Sequence, residues 1–105
     1  MTSAVLRISG AGTYAQVVQS KLPFSTLEAG EVVLRSRLGT DAPLNEHLVS
    51  LWGFAKNERR VLKSSVASGA TITCECVVPK GAVRISPNAA EMLHLLGAHL
   101  VLGLK

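Results

Sequence analysis

The chain has 105 residues, of which 48% are apolar, so it can bury a real core but is too short for two ordinary domains. Charged residues make up 17% and aromatic residues 4%, which argues against disorder and against a surface that stacks nucleic-acid bases. The net charge of +4 is compatible with a nucleic-acid partner or an acidic protein partner. We therefore expect residues 1–105 to form a single mixed α/β domain.

Targeting and redox signals are weak in this sequence. The first residues lack the basic lead and apolar run of a signal peptide. The most apolar stretch, residues 92–104, is shorter than the ~20 residues that span a bilayer. Both cysteines lie in the Cys74-Glu75-Cys76 tripeptide, which is no disulfide framework. These features predict a reduced cytoplasmic protein without a membrane segment.

The first third of the chain predicts a β-α-β segment. Alternation of apolar and polar residues predicts strands at residues 5–9 and 31–37. Between them, a Gly-Ala-Gly break at residues 10–12 precedes a short helix. Thr13 and Gln16 have the spacing of a capping box at its start.

The middle of the chain predicts one long helical segment that is broken into two consecutive helices. Thr40 or Asp41 can cap the first helix, and Gly69 is placed to end the second. Gly53 and Asn57 indicate a break between them. One apolar face runs through both helices, formed by Leu44, Leu48, Leu51, Trp52, Ala55, Leu62 and Val66.

The last third predicts a β-hairpin followed by a helix and a final strand. Residues 70–78 are rich in β-branched side chains, residues 79–81 have turn chemistry, and residues 82–85 return as a partner strand. Ser86 then caps a helix, and residues 99–104 alternate as the last strand.

The resulting order is β-α-β, one or two helices, then β-β-α-β. Two similar tetrapeptides, Leu6-Arg7-Ile8-Ser9 and Val83-Arg84-Ile85-Ser86, enter the two β-α-β segments. Right-handed crossovers between parallel strands place their helices on the same face of the sheet. The sequence thus predicts an α+β fold, a ferredoxin-like two-layer sandwich with one sheet and all helices on one face.

Side-chain parity predicts the composition of the sheet face that the helices leave uncovered. Four arginines and a histidine are expected there with two glutamates, which makes it the most basic predicted surface: Arg7, Arg35, Arg37, Arg84 and His99, with Glu31 and Glu75. This candidate binding face fits an anion, an RNA or an acidic protein. An ordinary solvated face, or one buried in a homodimer, explains the same residues.

A second basic group lies at helical spacing and comprises Lys56, Arg59, Arg60 and Lys63. Stripes of this kind are usually solvated helix faces, and the functional alternative is contact with nucleic-acid phosphates.

No residue set for catalysis or metal binding emerges from the sequence. Cys74 and Cys76 share one strand face, on which free cysteines behave as small core residues. The three histidines, His47, His94 and His99, are dispersed and expected at the surface or its boundary. The Gly-Ala-Gly break lacks the third glycine of a dinucleotide motif and the lysine of a P-loop. We expect no catalytic residues and no cofactor.

Several patterns resemble one bacterial family. They are Leu44-x-x-x-Leu48-x-x-Leu51, Gly69 before Ile72-Thr73-Cys74, Ala82-Val83-Arg84-Ile85-Ser86-Pro87, and Met92-Leu93-x-x-Leu96-Gly97-Ala98-x-Leu100. The chain resembles the domain of unknown function 4279 family over roughly Leu6 to Leu104. The resemblance implies a compact bacterial α/β domain, and some members are suspected of acting as immunity proteins against toxins.

These observations predict a non-enzymatic module that binds a protein partner, an acidic one in the first instance, through its sheet face or an edge. Nucleic-acid binding through the basic groups is the first alternative. A small ligand-binding protein or enzyme that uses the Gly10-Ala11-Gly12 turn is the second, and a homodimer is compatible with all three.

Overall fold

The computed structural model describes residues 1–81 and 83–104. The described residues form an α+β fold with one five-stranded mixed sheet. The strands are β1 (Ser3–Ser9), β2 (Thr26–Glu28), β3 (Glu31–Arg35), β4 (Thr71–Val78) and β5 (Ala98–Leu104). The helices are α1 (Ala15–Lys21), α2 (Leu44–Ala55), α3 (Arg59–Ala67) and α4 (Pro87–Leu96).

The strands lie in the order β2-β3-β1-β4-β5. Strand β1 is antiparallel to both β3 and β4, whereas β4 and β5 are parallel. The prediction that residues 31–37 run parallel to β1 is therefore wrong. A hairpin explains the reversal: the strand that returns from α1 is the short β2, and β3 folds back from it to lie between β2 and β1.

One face of the sheet is buried by the helices. The side chains of Leu6, Ile8, Ile72, Cys74 and Cys76 alternate along β1 and β4 and point into this layer. They belong to one cluster with buried residues from all four helices, including Val18, Leu48, Leu62 and Met92. The two cysteine sulfurs are 3.8 Å apart, and the prediction that they are core residues is confirmed.

The helix ends show which capping predictions hold. Ser86 accepts a hydrogen bond from the amide of Ala89 at the start of α4, and Gly97 ends the helix at φ 67°. A 3-10 turn that contains Asn57 separates α2 from α3, as predicted. The capping box is wrong, because Thr13 lies inside a 3-10 turn before α1 and no side chain caps that turn.

The predicted return strand at residues 82–85 does not form. Ala82 lies outside the described residues, and Val83 to Ser86 have no regular secondary structure. The amide of Asn45 on α2 holds this segment instead. Its Nδ2 donates to the Arg84 carbonyl at 3.2 Å, and its Oδ1 accepts from the Ser86 amide at 3.0 Å. The neighbour of β4 on this side is β5.

Within the described residues, no helix combines the length and the apolar character that crossing a membrane requires.

Candidate binding face

Arg7 lies at the centre of the sheet face that carries no described helix. Its Nε donates to Glu75 Oε1 on β4 at 2.9 Å, and its Nη1 donates to Glu31 Oε1 on β3 at 3.0 Å. These hydrogen bonds, to Glu75 first and Glu31 second, raise the pKa of Arg7. The guanidinium thus crosslinks three adjacent strands and is held in one orientation.

A second ion pair lies nearer the β2 edge of the same face. Both Nη atoms of Arg35 donate to the carboxylate of Glu28, at 2.6 and 2.9 Å, and the Thr26 hydroxyl donates to the same carboxylate at 2.7 Å. The bidentate pair lowers the pKa of Glu28 to about 2, with the Arg35 hydrogen bond as the largest cause and the Thr26 hydrogen bond next.

These pairs remove the predicted basic character of the face. Among the described strand residues, Arg7 and Arg35 share this face with Glu28, Glu31 and Glu75. Both guanidinium groups already have carboxylate partners, so little positive potential remains for an external anion. The prediction of an excess of arginines over glutamates is wrong here, because no strand was predicted at β2, which carries Glu28, and because two of the predicted arginines lie elsewhere.

Arg37 and Arg84 are the two arginines that leave the face. The guanidinium carbon of Arg37 lies 4.2 Å from the ring centre of Phe24, and that ring makes an edge-to-face contact with Phe54 of α2. Arg84 lies in the segment that Asn45 of α2 holds, beside a cleft at the end of β4 that Lys80 also lines. Both arginines therefore belong to the helical layer.

His99 is the only predicted binding residue on β5, and the structure places it on the open face. It lies opposite Thr73, which in turn lies opposite Arg7, so the three form one row across the sheet. A parallel row contains Val5, Glu75 and Val101. The open face thus presents two ion-pair clusters with valine side chains between and beside them.

Val33 shows how tightly the ion pairs cover the centre of this face. It points to the same side as Arg7, which lies opposite it, yet only 1% of its surface is exposed. No described helix lies over it, so its neighbours on the open face, Arg7, Arg35 and Thr26, must shield it with the apolar stems of their side chains. The pairs form an ordered layer on the sheet.

The second basic group remains free of carboxylates in the part of the chain that the structure describes. Lys56, Arg59, Arg60 and Lys63 are all exposed, and the one side-chain hydrogen bond given by these described residues runs from Arg59 Nη1 to the Lys56 carbonyl at 3.0 Å. This helical stripe is therefore a group of unpaired positive charges within the described residues, whereas both arginines of the open sheet face are paired.

Sequence reasoning missed a contact between Ser36 and His47. The Ser36 hydroxyl lies 2.5 Å from His47 Nδ1, and His47 is 1% exposed, so the prediction of a surface or boundary histidine is wrong for this residue. His47 Nε2 is buried without a protein partner among the described residues. One helical turn separates His47 from the buried Leu44 and Leu51, and this inward position was the signal available in the sequence.

Within the described residues, the Ser36–His47 contact lacks the third group that orients the histidine of a nucleophilic site. A nucleophilic serine needs a histidine that a third group orients, together with donors for an oxyanion. The second nitrogen of His47 has no such partner among the described residues. We therefore interpret the pair as a part-buried hydrogen bond that joins the end of β3 to α2.

The Gly-Ala-Gly turn approaches the backbone before β4 at Gly10, whereas Gly12 is exposed with open space around it. Gly10 adopts φ 74°, and a Cβ on this residue would lie 3.5 Å from the Gly69 carbonyl oxygen. The turn therefore packs directly against the backbone before β4. The following helix, α1, has seven residues and no side-chain cap.

Comparison with known proteins gave no match: no family model, no curated protein and no solved structure is similar to this chain.

Proposed function

We propose that this chain is a non-enzymatic protein-binding module that docks through its open sheet face. The observation that carries the proposal is the ordered layer of ion pairs around Arg7 and Arg35, which lies on a sheet face without a described helix. Side chains that are already fixed lose little conformational entropy when a partner binds. The half-buried Val5 and the exposed Val101 on the same face supply apolar contact area, whereas Val33 is covered.

The chemistry of this face favours a partner with both charge signs over a strongly acidic one. Arg7 and Arg35 offer guanidinium edges, while Glu28, Glu31 and Glu75 offer carboxylates. A strongly acidic protein would have to compete with these carboxylates for the arginines. We further propose that the chain belongs to the domain of unknown function 4279 family, which it resembles. A partner in keeping with that family would be a toxin.

We also propose that residues 3–78 form a ferredoxin-like sandwich to which α4 and β5 are added. The chain order β1-α1-β2-β3-α2/α3-β4 and the spatial order β2-β3-β1-β4 support this assignment. In that arrangement β1 and β2 are parallel with β3 between them, and β3 and β4 are parallel with β1 between them. The predicted second β-α-β segment, entered by residues 83–86, is wrong because these residues form no strand. The two units are instead β1-α1-β2 and β3-α2/α3-β4, and β4-α4-β5 is a third crossover.

The docking proposal is tested by capture of partners from an extract of the source organism with tagged protein. Arg35→Glu removes the pair with Glu28 on the open face. Arg37→Glu makes the same charge change on the helical layer and serves as the matched control. We expect the Arg37→Glu protein to retain the wild-type partner and the Arg35→Glu protein to lose it.

A pair-swapped variant separates recognition from stability. Glu28→Arg with Arg35→Glu keeps an ion pair at this position but exchanges its charges. We expect it to fold with wild-type stability and to lose the partner. Capture of the same partner by both the Arg35→Glu variant and the pair-swapped variant would contradict docking at this face.

Nucleic-acid binding through α3 is the second candidate function. The observation that favours it is the exposed group of Lys56, Arg59, Arg60 and Lys63 without carboxylate partners in the described residues. Binding of mixed-sequence DNA or RNA should weaken steeply with salt and fall in an Arg60→Glu/Lys63→Glu variant. Fluorescence anisotropy at low salt measures it, and no binding there would remove this candidate.

A further inference from the structure

Strand β5 is a seven-residue strand at the edge of the sheet, and its composition is unusual for an edge. It contains no charged residue and no proline, although natural proteins commonly place such residues on free edges to block pairing with other chains. Only one side of its backbone is paired in the described residues, with β4. The other side offers unpaired amide and carbonyl groups.

The side chains of β5 are also poorly covered. Leu100, Val101, Leu102 and Leu104 are exposed by 36, 50, 39 and 54%. The three leucines point to the same side as Cys74, Cys76 and Val78, which are buried under the helices. The helical layer therefore stops short of β5 and leaves a row of leucines at its margin.

The opposite edge of the sheet is protected in the ways that β5 is not. Strand β2 has three residues, and it carries Glu28, which is fixed by Arg35 and Thr26. A short, charged edge pairs poorly with another strand. The β2 edge of the sheet is therefore protected against pairing with another strand, whereas the β5 edge is not.

We propose that β5 pairs antiparallel with β5 of a second copy of this chain and joins two sheets into one of ten strands. Antiparallel pairing of identical strands has two-fold symmetry, which is the commonest symmetry of closed protein dimers. An identical strand also meets β5 without any lysine, arginine, aspartate or glutamate that would be buried or repelled, although the chain as a whole carries +4. A second copy is therefore complementary to this edge.

The two-fold axis lies at Val101. In this register residue 98 of one copy pairs with residue 104 of the other, and Val101 pairs with its own counterpart. Residues 98–104 then overlap completely, which gives the largest number of backbone hydrogen bonds. This register places Leu100 opposite Leu102, so that the leucine rows of both copies meet on the helical side. A shift by one residue would place leucines against the open face of the partner and turn the two helical layers to opposite sides.

The dimer has a consequence for the open face. Both copies present Arg7 and His99 to the same side of the joined sheet, because the register keeps residues of equal parity on one face. His99 of one copy lies opposite Gly103 of the other, where the missing side chain leaves it room. Two docking faces would then lie side by side, while the dimer itself does not depend on the partner proposed above.

Light scattering coupled to size-exclusion chromatography tests the assembly. We expect the wild-type protein to have the mass of a dimer and Val101→Lys to have the mass of a monomer. Val49→Lys is the matched control, because Val49 on α2 is a valine of nearly equal exposure, 53%. Circular dichroism and thermal melting show whether each variant is folded. A monomeric wild type at high protein concentration, or a dimeric Val101→Lys protein, would overturn the proposal.

A crosslinking experiment tests the register even if Val101→Lys fails to fold. Under mild oxidation Val101→Cys should give a covalent dimer, because the two residues at the axis face each other at a distance that suits a disulfide. Val49→Cys should remain largely uncrosslinked. Equal crosslinking of the two variants would overturn the register. If the protein is monomeric and amide exchange is nevertheless slow throughout β5, another segment must cover this edge. That result would overturn the dimer.

Discussion

The bidentate pair of Arg35 with Glu28 makes a pH prediction at the scale of single residues. The pKa of Glu28 in the folded protein is about 2, below its ordinary value of 4.5. The folded state therefore favours the carboxylate, so the contribution of the pair is complete above pH 4.5 and is lost as the pH falls through about 2. In an Arg35→Leu variant we expect the pKa of Glu28 to return towards 4.5, as measured by NMR titration.

The control for this prediction is Arg37→Leu, which removes a guanidinium that stacks on Phe24. It should leave the titration of Glu28 unchanged. If Glu28 titrates near 4.5 in the wild-type protein, the ion pair does not form in solution.

The buried Ser36–His47 contact predicts a stability effect. Ser36→Ala would leave both nitrogens of His47 buried without a protein partner, which we expect to lower the free energy of unfolding by about 1–3 kcal/mol. Urea denaturation measures it, with Ser68→Ala at an exposed position as the control.

A double variant tests the reason for this loss. Ser36→Ala combined with His47→Leu removes the unpaired nitrogens together with the hydroxyl, so it should recover part of the stability that Ser36→Ala loses. A Ser36→Ala protein as stable as wild type would show that the hydroxyl makes no net contribution.

Among the elements of the fold, the β2–β3 hairpin has a two-residue turn whose first residue, Ala29, is poorly suited to a left-handed backbone conformation. Ala29 and Gly30 connect the strands with φ values of 52° and 80°, so both adopt the left-handed conformations of a type I′ turn. Asparagine tolerates this conformation much better than alanine. Ala29→Asn should therefore raise the free energy of unfolding by about 1 kcal/mol, as measured by urea denaturation.

Gly30→Ala is the opposite test within the same turn. A Cβ on Gly30 would meet no atom within 4 Å, so the cost comes from the backbone conformation alone. We expect a loss of about 1–2 kcal/mol. Equal stability of the two turn variants would mean that the turn has another geometry in solution.

At the scale of the whole molecule, the two cysteines report on opening of the core. Cys74 and Cys76 are buried between the sheet and the helices, and the contact with the Cys76 sulfur together with burial raises the pKa of the Cys74 thiol. The same contact lowers the pKa of the Cys76 thiol, so it is the burial of both side chains that should make reaction with a thiol reagent require unfolding of the core. We expect both thiols to react slowly in the native protein and rapidly in denaturant.

A Ser64→Cys variant on the exposed side of α3 supplies the control, because its added thiol should react at once under native conditions. Rapid native reaction of Cys74 or Cys76 would contradict the packing of β4 against the helices.

Local patterns in the sequence predict the elements with the strongest signals. Alternation places β1 and β4 correctly, and the break at Asn57 and the cap at Ser86 also lie where they were expected. The signal fails for β2, because its three residues are too few to show alternation. It also fails for residues 83–85, because the Arg84 carbonyl and the following Ser86 amide hydrogen-bond to Asn45, a residue about 40 positions earlier.

Local patterns of residues are enough to predict an α+β chain, two core cysteines and the side of the sheet that Arg7 and Arg35 occupy, because side-chain alternation within one strand fixes which face each residue takes. The order of the strands, the carboxylate partners of those arginines and the burial of His47 become known from the folded structure. Each of these depends on contacts between residues distant in sequence, such as Arg7 with Glu75, and no local pattern records which strands become neighbours.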